Sequence, residues 1–157
     1  TGTIIREAIQ TSTDAIRTKL IDFKKTEVTG IKLEDAEVVV AAGAGIGNAE
    51  NVAIVQALAD SLGAAIGSTR ALVDSEWLPA NTQVGQSGKN VSPQLYIGCG
   101  VAGAIQHLSG ISSSKCIVAI NTDPEAPIFD VADYCVVGDC LEVVPALTEE
   151  IKKHKAE

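Results

Sequence analysis

The run AEVVVAAG, residues 36–43, carries no polar side chain after Glu37 and is β-branched at its centre. A strand with one wet face alternates apolar and polar positions. A strand apolar at every position is covered on both faces, as in a parallel sheet packed between helices. Four later stretches behave similarly: AAIGSTR, PQLYIGCG, KCIVAIN and YCVVGD. The runs predict strands over 38–42, 65–68, 95–99, 117–120 and 135–137. Between them the apolar period lengthens to that of a helix. In GAGIGNAENVAIVQALADSLG, Val52, Val55, Ala59 and Leu62 share one helical face and Gly63 supplies the stop. VAGAIQHLSG reads as a short helix, and CLEVVPALTEEIKKHK as an amphipathic one with lysines in its last turn, where the helix dipole favours positive charge. The expected fold is therefore α/β: a doubly wound, mostly parallel sheet of five or more strands with helices on both faces.

The 157 residues suit one domain, and at 46% hydrophobic the chain can bury a core. Aromatics are scarce and Met is absent, so Val, Ile, Leu and Ala fill that core. A net charge of −8 argues against a uniform phosphate-binding surface, and hence against nucleic acid as partner. Neither a signal peptide nor an apolar run of membrane-spanning length is seen, so no membrane insertion is expected. Cys99, Cys116, Cys135 and Cys140 form no CxxC pair, so no metal is expected. Three of them lie in strand-like runs, which reads as buried free thiols in a reducing cytoplasm. Residues 1–30 differ in texture from the rest. They read as a tail or connecting segment from an absent N-terminal domain, with a peripheral strand near 17–24; residues 31–157 form the domain proper. The first residue, Thr1, is consistent with a fragment.

In an open α/β sheet, ligands bind outside the carboxyl ends of the strands. The segments expected there are 43–47 (GAGIG), 68–70 (STR), 98–103 (GCGVAG), 121–124 (NTDP) and 138–139 (GD). Glycine lets backbone approach a ligand, and helix starts present N–H groups to anions. The ligand so implied is long and phosphorylated, such as a dinucleotide. Each piece has a plainer reading: a ligand-free turn for GAGIG, a surface ion pair for Arg70, a hydrogen-bonded helix residue for His107, turn caps for Asn121 and Asp139. One connection, 70–93, is long for a compact domain; it carries the single Trp77 and the glycine-rich QVGQSGK.

The stretches GSTRALVDSEWLPANTQVGQSGK, PQLYIGCGVAGAIQHLSG, VAINTDPEAPIFDVADYCVVGD and VVPALTEEI resemble the C-terminal, FAD-binding half of the electron transfer flavoprotein α subunit, over residues 32–151. The resemblance implies FAD as cofactor. It places Val84, Gly85, Gln86 and Ser87 around the flavin ring, and Ala102, Gly103, Ala104, Ile105, Gln106 and His107 along the flavin and pyrophosphate. It puts Arg70 over the ring with Thr69 beside it, and Asn121 and Asp139 at the adenosine and phosphate end. Arg70, Ser87 and His107 would tune the flavin, and no residue would be catalytic. The implied function is electron carriage, not enzymatic conversion. The implied partners are an electron transfer flavoprotein β subunit, giving a heterodimer, and an electron-donor dehydrogenase such as an acyl-CoA dehydrogenase. Ala44, Ala102 and Ser87 depart from the family's commoner Arg, Ser and Thr. The first two bear on cofactor affinity; Ser87 keeps the hydroxyl.

Two other readings compete. GAGIG also occurs in nicotinamide-dependent deacylases of the sirtuin type, but their zinc-binding CxxC pairs and PDFR-like stretch are missing. A cofactor-free assembly module retaining the fold is the other, supported by Ala44 and Ala102.

Overall fold

A computed structural model describes residues 2–7, 16–23 and 31–156. Five strands form one sheet: β1 (Val38–Ala42), β2 (Ala65–Ser68), β3 (Leu95–Cys99), β4 (Ile117–Asn121) and β5 (Tyr134–Val137). Their order is β2-β1-β3-β4-β5 and every neighbouring pair is parallel. The helices are α1 (Val52–Leu62), α2 (Arg70–Asp74), α3 (Ile105–Leu108) and α4 (Cys140–Ala156). The five strands fall where the apolar runs place them, and α1 stops at Gly63 in a left-handed conformation (φ 67°).

Alternate residues of each strand feed two cores. Val40, Ala42, Ile97, Cys99 and Ile120 face one way and meet Val55, Leu58 and Ala59 of α1, Leu72 of α2, and Cys140 and Val144 of α4. Val39, Ala41, Tyr96, Ile117 and Ala119 face the other way and meet Val84, Val101, Ile111 and Ile128, together with Leu108 of α3. The first face is covered by two long helices, the second mainly by loops and the single turn of α3. The connections on that second face are thus free to build a site.

Three expectations are corrected. Residues 16–23 form no strand: Ile16, Leu20, Ile21 and Phe23 stand exposed, and Lys24 lies outside the described residues. An isolated apolar stretch has no ladder partner there to satisfy its backbone. β5 is not covered on both faces. It is the sheet's edge, so Tyr134, Cys135 and Val137 are exposed, and the Cys135 thiol is not a core group. The 70–93 connection also holds α2, which follows β2 with only Thr69 between them.

Candidate functional site

Strand order reverses between β1 and β3, so the loops leaving these neighbours run to opposite sides and open a crevice at their carboxyl ends. The two loops cross in contact. Gly43 N–H donates to the Cys99 carbonyl at 2.9 Å, and Gly45 N–H to the Gly100 carbonyl at 2.9 Å. Gly100 has φ 65°, and a Cβ on it would lie 2.7 Å from the Gly45 carbonyl carbon. Only glycine meets both demands. The Cys140 thiol, at the start of α4, lies 3.7 Å from the Gly45 carbonyl and seats the turn from beneath.

The second wall comes from QVGQSGK. Val84 N–H donates to the Ser68 carbonyl at 2.9 Å, extending the edge of β2. Gln86 N–H donates to the Gln106 carbonyl at 2.8 Å and ties this loop to α3. At Gly85 (φ 131°) a Cβ would sit 2.7 Å from that same carbonyl oxygen. The bare backbone of this loop therefore serves first to bring it against AIQH. Between the walls lies a cleft of about 560 Å³, lined by Ala44, Gly45, Thr69, Arg70, Val84, Gly85, Gln86, Ser87, Gly100, Val101, Ala102, Gly103, Ala104, Gln106, His107 and Asn121, among others.

Twelve of the fourteen residues singled out from sequence meet on this one cleft; Ile105 and Asp139 do not. Ile105 is 81% exposed and lines a separate depression with Leu108, Ile111 and Val131. Asp139 is exposed, and its Oδ1 accepts the Leu141 N–H at 2.8 Å, the cap expected of a carboxylate before a helix. α3 opens just after Gly103 (φ 92°) but spans only the one turn from Ile105 to Leu108, so no helix dipole of any strength points into the cleft.

The polar groups differ in how far they are committed. The Asn121 amide donates to the Val101 carbonyl at 2.9 Å, and its oxygen accepts the Asp123 N–H at 3.0 Å; it shapes the loop it belongs to. Ser87 Oγ accepts from the Gln83 amide at 2.8 Å, leaving its own hydrogen to donate. Arg70 lies on the rim, paired with Asp74 at 3.2 Å and 70% exposed. Thr69 Oγ1 and His107 Nδ1 are different: both are buried and neither makes a hydrogen bond of normal geometry within the protein, the Val84 backbone coming near enough to the imidazole only to oppose its neutralisation weakly. His107 is buried, and its Nε2 lies 2.7 Å from the hydroxyl of Tyr96, which is wholly buried. Burial pushes the imidazole pKa down to about 4, against a smaller opposing effect of the Val84 backbone, and pushes the Tyr96 phenol well above its ordinary value. The histidine is neutral at physiological pH.

Buried polar atoms without partners are uncommon, and two of them on one cleft mark a place where a ligand completes the bonding. A groove of about 590 Å³ runs along the outer edge of β2, near Ile31 and Gln56, but its lining holds no unpartnered buried polar atom. The free hydrogen of Ser87 and the unpartnered polar atoms of Thr69 and His107 fit a ligand with hydrogen-bond acceptors. Sequence reasoning did not single out Tyr96. In LYIGC it reads as core, and the one available signal is that a buried phenol needs a partner.

Comparison with known proteins agrees with this geometry. The family described as Electron transfer flavoprotein FAD-binding domain matches residues 32–112, more than half of the chain. The chain belongs to this family. An electron transfer flavoprotein subunit alpha of Thermoanaerobacterium thermosaccharolyticum is 48% identical over 154 residues, which are 98% of this chain and 47% of that protein. The subunit of the same name from Mycobacterium tuberculosis is 62% identical over 118 residues, 75% of this chain and 37% of its own length. A third, from Dictyostelium discoideum and named mitochondrial, is 51% identical over 152 residues, 97% of this chain and 42% of the relative. The chain thus spans about half the length of the curated relatives it matches. Among the described residues no helix is long and apolar enough to cross a membrane.

Proposed function

We propose that this chain is the FAD-binding, electron-carrying part of an electron transfer flavoprotein α subunit, with residues 31–157 as the cofactor domain and 1–30 as the segment joining it to an N-terminal domain. It works as one half of an αβ heterodimer in the cytoplasm, takes electrons from a donor dehydrogenase of the acyl-CoA dehydrogenase kind, and converts no substrate itself. FAD, when bound, supplies the electron chemistry; the protein supplies position and electrostatics. Val84, Gly85, Gln86 and Ser87 would flank the flavin ring from one wall, and Ala102, Gly103, Ala104, Gln106 and His107 from the other. Thr69 and His107 would give their unpartnered atoms to it. Arg70, on the rim, would lend positive charge as the ring becomes negative on reduction. Asn121 would shape the adenosine end; Ile105 and Asp139 would act by holding α3 and α4 in place.

One observation carries this reading. In a chain of a flavin-binding family, the two buried polar atoms lacking partners on this cleft are Thr69 Oγ1 and His107 Nδ1. The test is to purify the chain together with a β subunit, record the visible spectrum, release the cofactor by heat and identify it by chromatography. Flavin bands and FAD are expected. FMN alone would refute the cofactor assignment. A colourless complex would favour the assembly-module reading, which rests on Ala44 and Ala102, two small apolar side chains in the cleft.

A further inference from the structure

His107 is among the residues that line the cleft, and one of its two ring nitrogens is already occupied. A neutral imidazole has one N–H and one bare nitrogen, and which is which follows from the bond that the other nitrogen makes. The partner here is Tyr96, on β3 in the core face beneath the cleft, with 0% exposure. Its hydroxyl carries a hydrogen that must reach an acceptor, because an unmade hydrogen bond at a buried donor is costly. His107 Nε2, at 2.7 Å, is that acceptor. Were Nε2 to carry the proton instead, it would donate to the phenol oxygen. The phenol hydrogen would then be left without an acceptor in the apolar core that Tyr96 shares with Val39, Ala41 and Ile117. With Nε2 accepting, the imidazole proton resides on Nδ1, the nitrogen that makes no hydrogen bond of normal geometry within the protein.

We propose that Tyr96 is a positioning residue: its phenol donates to His107 Nε2 and thereby fixes the imidazole proton on Nδ1, so that the cleft ligand meets a neutral N–H donor and not a bare nitrogen or a cation. The chemistry so selected is a hydrogen-bond acceptor, such as a ring carbonyl oxygen, at that point of the ligand. A neutral donor strengthens its bond as charge accumulates on the acceptor and adds no fixed charge of its own. Tyr96 is thus a determinant of which ligand atom can lie against His107, although it does not touch the cleft itself. Only this last step rests on reading the cleft as a flavin site; the proton's position is a property of the chain alone.

The experiment measures that position directly. Two-bond proton–nitrogen correlations on the ¹⁵N-labelled chain distinguish a protonated from a bare ring nitrogen. The other histidine, exposed His154 beside Glu150, is identified by His154→Gln. Without flavin, His107 is expected to show a protonated Nδ1 and a bare Nε2 at neutral pH. In Tyr96→Phe the proton is expected to move wholly or partly to Nε2. A protonated Nε2 in the unaltered chain, or an unchanged Nδ1 proton in Tyr96→Phe, overturns the proposal. A second pair of variants decides the matter if Tyr96→Phe does not fold. Asn carries its amide near the position of Nδ1, Gln near that of Nε2. His107→Asn should therefore retain FAD about three- to tenfold better than His107→Gln, the value of one hydrogen bond. The reverse order contradicts the proposal. Failure of the unaltered chain to bind FAD refutes the flavin reading but leaves the proton's position measured and the proposal decided.

Discussion

Gly100 and Gly63 adopt nearly the same left-handed conformation, φ 65° and 67°, in different surroundings. A Cβ at Gly63 would meet nothing within 4 Å; at Gly100 it would meet three backbone atoms of Gly45 and Ile46 at 2.7–2.8 Å. Substituting alanine at each therefore separates conformational strain from the crossing of the two cleft loops. Strain alone costs about 1 kcal/mol at either position, after allowance for the stiffer unfolded chain. Overpacking against backbone adds about 1–3 kcal/mol at Gly100 only. Backbone cannot yield as a flexible side chain can, so the upper part of that range applies. The expectation is a loss of about 1 kcal/mol for Gly63→Ala and about 4 kcal/mol for Gly100→Ala. In urea, where stability falls by about 1–3 kcal/mol per molar, the two midpoints should differ by about 1.5 M. Gly100→Ala should also weaken FAD binding, because the loops can relieve the clash only by parting at the cleft floor. Equal losses in the two variants would show that the crossing is not held by direct backbone contact.

Thr69→Val removes an unpartnered buried hydroxyl, so it should leave ligand-free stability unchanged or raise it by up to about 1 kcal/mol while weakening FAD; a clear loss of stability would mean that Oγ1 has a partner in the protein. His107 is held neutral when folded, with a pKa near 4 against 6.5 for the free group, so the unfolded chain takes up its proton first as pH falls. Stability from this group is intact above pH 6.5, declines through the interval down to about 4, and the full decline is about 3 kcal/mol. Urea unfolding of the native chain and His107→Asn at pH 7 and pH 4.5 checks it, the variant being less sensitive to acid; identical pH profiles would contradict a buried neutral histidine. Alkylation followed by mass spectrometry should modify exposed Cys135 first and Cys116 later, with Cys99 protected until unfolding because burial raises its pKa to about 12. Early labelling of Cys99 would refute the packing beneath the cleft.

The central strands were legible because a fully buried parallel strand leaves an unbroken apolar signature, as in VVVAA of β1. The same signature misreads β5, since YCVV does not tell whether another strand lies beyond it. The cleft was legible as a set of loop ends, because the parallel sheet gathers every strand's carboxyl end on one side. What lies within a single turn was not. Asp139 caps α4, and the four residues of α3 turn His107 inward and Ile105 outward, a division that depends on where Gly103 ends its left-handed bend. The Tyr96–His107 bond joins a strand to a later helix, and only the folded arrangement reveals that the phenol has one acceptor within reach.

The proposed function depends on FAD occupying the cleft, and amide chemical shifts test this residue by residue. Titrating FAD into the ¹⁵N-labelled chain should move the resonances of Thr69, Gly85, Ser87, Gly100 and His107, which line the cleft, and leave those of Gln56, Asp60 and Ile66, along the outer edge of β2, in place. Shifts confined to the β2 groove, or none at saturating FAD, would contradict it.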